Sequence, residues 1–168
     1  EGPHWYACFS CIVEAKLLPK TGRSAGIDVG LHTFAALSDG TMIENPQYLR
    51  RSEARLKVEQ RSLSRKKRGS SGRRKQKTVV SKIHRKITNQ RSDFLHKASA
   101  RLVRDYDEIY FEDLKIKNMV KNHHLAKSIS DAAWGRFIEF TSYKAESAGK
   151  IIAFVNREPL PLIAVRIN

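Results

Sequence analysis

The sequence predicts an α/β domain with a mixed sheet, in the order β-β-β-α-β-α-β, and a long basic helical insertion. Short apolar runs occur as a group of three within residues 25–45, and then singly at 107–114 and 150–155. Between them, apolar residues recur at the three-to-four-residue spacing of helices. The chain has 168 residues, of which 40% are hydrophobic, and is long enough to bury one core.

The first three runs predict an antiparallel meander. They are AGIDVG (25–30), TFAALS (33–38) and TMIEN (41–45), and the last two are separated by the turn sequence Ser-Asp-Gly. The later runs, DEIYFEDL (107–114) and KIIAFV (150–155), each follow a helical segment. This alternation is typical of strands in an α/β sheet.

Residues 47–106 predict a helical hairpin with a basic loop at about 68–73. The second helix has an apolar face, so its C-terminal half should pack on the sheet. The residues of that face are Ile83, Ile87, Phe94, Ala98 and Leu102.

A further helix should begin at a cap on Ser130 or Asp131 and run to Gly149, after a polar loop that contains His123 and His124. Trp134 lies on its apolar stripe, which favours a core position over base stacking. The two histidines are expected to be exposed to solvent and not catalytic.

The N-terminal residues are expected to belong to a preceding domain. Residues 5–15 predict a strand and the remainder of 1–23 a linker, so that the main domain is 24–168. Cys8 and Cys11 form a C-x-x-C, but residues three apart in a strand point to opposite faces, and no second pair follows. We therefore expect no zinc here.

Charge points to a polyanionic partner. The chain carries 32 Lys and Arg against 17 Asp and Glu, a formal charge of +15. Residues 50–91 hold 17 of these cations and two acids, Glu53 and Glu59, and the cations would repel one another without counter-charge. No stretch is apolar enough to span a membrane and no signal peptide is evident, so a cytoplasmic protein is expected.

A subset of these cations is predicted to contact phosphates without reading sequence. It comprises Arg50, Arg51, Arg61, Arg65, Lys66, Lys67, Arg68, Arg73, Arg74, Lys75, Lys77, Lys82 and Arg85.

Two acids on apolar strands are the candidate catalytic residues. Asp28 lies inside AGIDVG, where burial without a partner would be costly, and Glu112 and Asp113 end the 107–114 run. Carboxylates brought together at neighbouring strands repel unless a cation lies between them, and Mg²⁺, or Mn²⁺ in its place, suits such oxygen ligands. The alternative is that these acids form turns or cap helices.

Several ordered motifs resemble the TnpB/OrfB family of insertion-sequence proteins, relatives of the compact type V CRISPR nucleases. They are GIDVGLHTFAALSDGT, ENPQYLRRSEARL, RSLSRKKRGSS, ITNQRSDFLHKASARLV and the long stretch from EDLKIKNMV to KAESAGK. The resemblance covers about residues 24–155. It implies an RNase H-like (RuvC) fold, catalytic and metal-binding roles for Asp28 and Glu112, and RNA-guided cleavage of DNA, with a guide RNA and DNA as partners.

The C-terminal sequence departs from the family pattern. The family continues into a zinc ribbon and a D-A-N motif with the third catalytic acid, whereas this sequence continues as NREPLPLIAVRIN, without Cys or Asp. We therefore expect a truncated core that cleaves DNA poorly. The alternatives are a nucleic-acid-binding remnant, or a transposase acting on transposon ends.

Overall fold

The computed structural model describes residues 7–12, 14, 17–114, 119, 121 and 123–155, without the side chains of 123–125. The elements are β1 (Ser24–Val29), β2 (Thr33–Leu37), β3 (Met42–Glu44), α1 (Tyr48–Arg65), α2 (Ser71–Asp105), β4 (Glu108–Glu112), α3 (His123–Ala132), α4 (Trp134–Ala148) and β5 (Ile151–Val155). Among the described residues, no helix combines the length and apolarity needed to cross a bilayer. The predicted α/β class is confirmed, and the strands follow one another as predicted, with one helix more than predicted between β4 and β5.

The five strands form one mixed sheet in the order β3-β2-β1-β4-β5. The predicted meander is confirmed, since β1, β2 and β3 pair antiparallel, while β1–β4 and β4–β5 pair parallel. Gly40 takes φ 86° in the Ser-Asp-Gly turn, a conformation that glycine adopts without steric cost. Gly30 is also required, because a Cβ there would lie 2.8 Å from the carbonyl oxygen of Thr33.

One face of the sheet packs against α2 and α4. Phe137 of α4 makes edge-on ring contacts with Phe111 of β4 and with Phe34 of β2, and Phe34 also meets Phe94 of α2. A register irregularity between Thr33 and Ala35 accompanies the burial of two successive β2 residues, Phe34 and Ala35. The ring contacts of Phe34 and Phe137 therefore join the sheet to both helices.

The apolar stripe of α2 serves two separate cores. Ala98 and Leu102 are buried in the main core together with the sheet, whereas Ile83 and Ile87 are buried against Leu56 of α1. The C-terminal half of α2 thus packs as predicted, and its N-terminal half forms a hairpin with α1 that has its own small core.

Two predictions about secondary structure were wrong. Residues 7–12 and 14 have no regular secondary structure and are exposed, so the strand predicted over 5–15 is not found in its described part. The second error concerns the segment after β4, where a polar loop and a single helix starting at Ser130 or Asp131 were predicted. Residues 123–132 instead form a complete helix, α3, before α4. The two helices are separated at Ala133, which is left-handed at φ 54°. Trp134 is buried, as predicted.

The β2–β3 turn is fastened to the end of α2. Tyr106, which follows α2, donates its hydroxyl to Asp39 at 2.5 Å, and Arg23 also donates to that carboxylate at 2.8 Å. The hydrogen bond from Tyr106, together with those from Thr41 and the charge of Arg23, lowers the pKa of Asp39 to about 2. Asp39 therefore stays ionised and fixes the turn.

A buried ion pair ties the segment before β1 to the sheet. Lys150, whose side chain is 2% exposed, donates to Asp107 at 2.5 Å and to the carbonyl of Pro19 at 2.7 Å. Asp107 also accepts the backbone N–H groups of Thr21 and Gly22. The hydrogen bond from Lys150 and these backbone donors hold the pKa of Asp107 well below its usual range.

Replacing Asp107 with Asn should lower thermal stability at neutral pH and weaken its decline in acid. A lowered carboxyl pKa contributes stability that is complete above the unfolded value of 3.8 and is lost as the pH falls toward the folded pKa. Melting temperatures from pH 7 to pH 2 should therefore fall more steeply below about pH 4 for the natural chain than for Asp107→Asn. Glu139→Gln, on the exposed side of α4, controls for the loss of one charge. Parallel curves for all three proteins would refute this role of Asp107.

Candidate active site and nucleic-acid interface

Asp28 and Glu112 occupy neighbouring positions on adjacent parallel strands. Ile27 of β1 is in register with Phe111 of β4, so the next residue on each strand is Asp28 and Glu112. Adjacent strands lie about 4.8 Å apart, and side chains in register on parallel strands point to the same face. Both residues line one open groove on the sheet. Strand pairing thus brings together two acids that are 84 positions apart in the sequence.

The groove lies on the face opposite the aromatic contacts of the core. Ala25 and Ile27 of β1 are buried with the helices, whereas Gly26 and Asp28 alternate to the other face. Tyr110 and Glu112 of β4 face the same way and also line the groove. The cost of burying Asp28 does not arise, because Asp28 is exposed, while Glu112 is half-buried. An exposed carboxylate needs no buried counter-charge.

Two further acids, Asp131 and Asp113, have contacts outside the pair formed by Asp28 and Glu112. Asp131 is 12% exposed, accepts the backbone N–H of Leu49 at 3.2 Å and pairs with Arg91 at 2.7 Å. The prediction that Asp131 caps its own helix was wrong, since it lies near the end of α3 and caps the start of α1. Asp113 follows β4 and donates its backbone N–H to Val155. Within the described ranges, no group of three His, Cys, Asp or Glu has the arrangement of a metal site.

The predicted phosphate-binding cations surround the α1–α2 hairpin. Ten of the thirteen are exposed: Arg50, Arg51, Arg61, Arg65, Lys67, Arg68, Arg74, Lys75, Lys77 and Lys82. Lys66, Arg73 and Arg85 are half-buried. The two acids of this segment have other partners, because Glu53 pairs with Lys57 and Lys127 and Glu59 accepts from Gln76. The hairpin therefore presents a cationic surface.

Arg73 differs from its neighbours by its contacts. Its guanidinium donates to the carbonyls of Leu63 at 2.8 Å and Lys66 at 3.0 Å, at the C-terminal end of α1. A cation at this position satisfies helix carbonyls that have no partner within the helix. Arg74 next to it is exposed, with one long contact of 3.5 Å to Gly69. Arg73 thus has a structural role in closing the hairpin, which its sequence position alone could not show.

The cysteine pair and the histidine pair are two further sets of candidate residues. Cys8 and Cys11 are exposed free thiols. His123 and His124 begin α3, and their side chains lie outside the described residues.

Comparison with known proteins identifies the family. Residues 10–123 match the profile OrfB_IS605, described as "probable transposase". The chain belongs to this family. It is also similar to a protein of Streptomyces pristinaespiralis named "putative RNA-guided DNA endonuclease", with 40% identity over 153 residues, which are 91% of this chain and 38% of the relative.

Two further relatives carry the same kind of name. The InsQ protein of Escherichia coli K12 is 38% identical over 97 residues, covering 58% of this chain and 24% of InsQ. A Mycobacterium tuberculosis protein is 29% identical over 143 residues, covering 79% of this chain and 31% of its own length. Both are named "putative RNA-guided DNA endonuclease". The chain thus spans well under half the length of these relatives.

Proposed function

We propose that this chain is a RuvC-like nuclease core that binds nucleic acid and belongs to a transposon-associated, RNA-guided DNA endonuclease. The observation that carries the proposal is the pair of in-register acids, Asp28 and Glu112, on an open groove of a sheet that also carries a cationic hairpin. The two acids without the basic side chains would repel DNA. The basic side chains without the acids could bind DNA but could not cleave it. The two features together suit phosphodiester chemistry.

The sheet supports the assignment to the RNase H-like fold. An antiparallel meander at one side and two parallel strands at the other place β1 in the centre, where Asp28 lies. The central position brings its acid beside β4, so that a second acid can reach the same groove. The OrfB_IS605 family membership supports the same fold.

Asp28 and Glu112 would hold a divalent cation. Carboxylate oxygens on an open groove suit Mg²⁺ or Mn²⁺, which are hard cations that keep several water ligands. When bound, such a metal lowers the pKa of a water ligand and stabilises charge on phosphate oxygens. Two carboxylates supply few protein ligands, so affinity should be low.

DNA and a guide RNA are the proposed partners. The names of the relatives support both, and the exposed cations of α1 and α2 provide the counter-charge for a phosphate backbone. Such contacts position a duplex or a single strand without distinguishing its bases.

Mn²⁺ should bind this chain weakly at the groove. We expect Asp28→Asn and Glu112→Gln each to weaken binding at least about tenfold, which corresponds to a loss of about 1.4 kcal/mol. Mn²⁺ titration followed by electron paramagnetic resonance measures the free ion directly. Glu108→Gln is the matched control, because Glu108 lies on the same strand and its carboxylate already accepts from Tyr110. Equal affinities for the natural chain and both groove variants would place the metal elsewhere.

Salt dependence tests the nucleic-acid interface. Replacing Arg65, Lys66, Lys67 and Arg68 with Ala should weaken binding to RNA and DNA and reduce the slope of log K against log salt by about one to three units. Each lost phosphate contact removes about 0.7 to 0.9 units.

The control for this experiment removes four cations away from the hairpin loop, namely Lys97, Arg101, Arg104 and Arg136. Both variants carry four fewer positive charges than the natural +15, so a difference between them reports position and not net charge. An unchanged slope in the loop variant would show that these cations are only solvated.

A second candidate function is binding without cleavage. It is favoured by the absence, within the described ranges, of three potential ligands grouped as a metal site. A transposase acting on transposon ends is a further alternative that the family name supports. Both share the basic hairpin with the nuclease, so binding alone does not separate the three.

A nuclease assay separates these functions. With Mg²⁺ or Mn²⁺ we expect this 168-residue chain to cut single-stranded and guide-matched DNA inefficiently. Two carboxylates cannot position two metal ions about 3.5 to 4 Å apart around the attacked phosphate. Efficient cutting that Asp28→Ala abolishes would show that a third ligand exists. Cutting confined to transposon-end sequences would favour the transposase.

A further inference from the structure

Asp131 connects three helices that are distant in sequence. Its carboxylate, near the end of α3, accepts the backbone N–H of Leu49 in the first turn of α1 and pairs with Arg91 in the middle of α2. The side chains of Asp131 and Arg91 are only 12% and 23% exposed. A carboxylate near the C-terminus of its own helix is disfavoured by the helix dipole, whereas the start of α1 and the guanidinium of Arg91 both favour it.

Asp131 provides the cap that α1 lacks. Gln47 at the N-cap position is left-handed at φ 48° and makes no side-chain cap, and the first turn of α1 contains no acid. The chain before it is also held: Asn45 accepts the N–H of Gln47 at 3.1 Å and donates to the carbonyl of Leu31 at 2.8 Å. Leu31 follows Asp28 by three residues, so these hydrogen bonds connect the end of β1 to the base of the hairpin.

The hairpin extends far from this base. Twenty residues separate Arg91 from Ser71 at the start of α2, a length of about 30 Å in a helix. A rotation of roughly 10° at the base would therefore move the hairpin loop by about 5 Å. α2 continues without a break from the hairpin into the main core, whereas α1 belongs only to the hairpin cluster, so contacts at the base decide how α1 and the first half of α2 are held against the sheet.

We propose that Asp131 and Arg91 are positioning residues that fix the direction of the basic hairpin relative to the groove of Asp28 and Glu112. Nucleic acid bound along the hairpin then reaches the groove in one register. The delivery of nucleic acid rests on the proposed function, but the orientation of the hairpin does not. The two parts can therefore be tested separately.

Spin-label distances test the orientation directly. Labels are placed at Ser71→Cys, on the exposed start of α2, and Met42→Cys, on exposed β3, after Cys8 and Cys11 are replaced with Ser. Asp131→Ala, Asp131→Asn and Arg91→Met should each broaden the distance distribution or shift its mean by several ångströms. Asp131→Asn retains an oxygen that can accept the N–H of Leu49 but loses the negative charge. Its effect therefore measures the contribution of the ion pair with Arg91 alone.

Asp93→Asn is the matched control. Asp93 and Lys97 form a salt bridge of 2.8 Å on the same helix, but both side chains are more than half exposed. Its loss should leave the distance distribution unchanged. If Asp131→Ala does not fold, judged by circular dichroism, Asp131→Asn and Arg91→Met decide the result. Unchanged distributions in the variants that fold, or an equal change in Asp93→Asn, would overturn the proposal.

A cross-linking experiment tests delivery. With a photoreactive group at Met42→Cys, which pairs with Ala36 beside the groove, bound DNA or RNA should cross-link at few nucleotide positions. Asp131→Ala should spread these positions while changing affinity less than about threefold, which a merely destabilised protein would not do. An unchanged cross-link pattern would overturn delivery. If the natural chain binds neither DNA nor RNA, the proposed function is refuted, and the distance experiment remains valid.

Discussion

The parallel pairing of β1 with β4 is the interaction on which the candidate site depends. It aligns Ile27 with Phe111 on the core side and so places Asp28 beside Glu112 on the groove side. A slip of one residue would turn the two acids to opposite faces, and would also expose an apolar side chain from the core. Burial of Ile27 and Phe111 therefore specifies the position of the acids, although neither apolar residue has a role in chemistry.

Charge and apolar packing are separated along α2. Near the sheet, the buried apolar positions of the helix are Leu95, Ala98, Leu102 and Val103, and the helix packs as a core element. In the hairpin, the buried surface is reduced to a narrow cluster and the remaining faces carry cations. This arrangement keeps mutually repelling charges away from the core, where their desolvation would be costly. A single helix therefore both stabilises the sheet and extends a cationic surface away from it.

Sequence patterns predicted the parts of the fold that depend on local chemistry. The meander followed from three apolar runs and a Ser-Asp-Gly turn, and the α4 stripe followed from helical spacing. The strand expected over 5–15 was wrong in its described part, because aromatic and branched residues favour a strand only when a sheet is available to pair with it. The helix α3 was missed since its polar sequence reads as a loop.

The functional contacts were harder to predict, since they join residues that are distant in sequence. Asp131 was expected to cap its own helix, and its true partners, Leu49 and Arg91, are 82 and 40 residues away. Arg73 could not be distinguished from Arg74 by composition, because the difference lies in which carbonyls each side chain reaches. The exposure of Asp28 could not be predicted, because apolar neighbours on a strand show that one face is buried and do not show whether the other face is covered.

The hairpin and the groove are separate surfaces, and this bears on whether the protein is a nuclease or only binds nucleic acid. In the proposed function, affinity for nucleic acid would come from the exposed cations on α1 and α2, whereas metal-dependent chemistry would require the carboxylates on β1 and β4. A change at the groove can therefore abolish cleavage with little effect on binding, so a binding-only member of this family is physically coherent. The contacts of Asp131 with Leu49 and Arg91 then bear on the choice between a nuclease and a pure binder. A pure binder needs the hairpin cations but gains nothing from holding the hairpin in one direction relative to the groove.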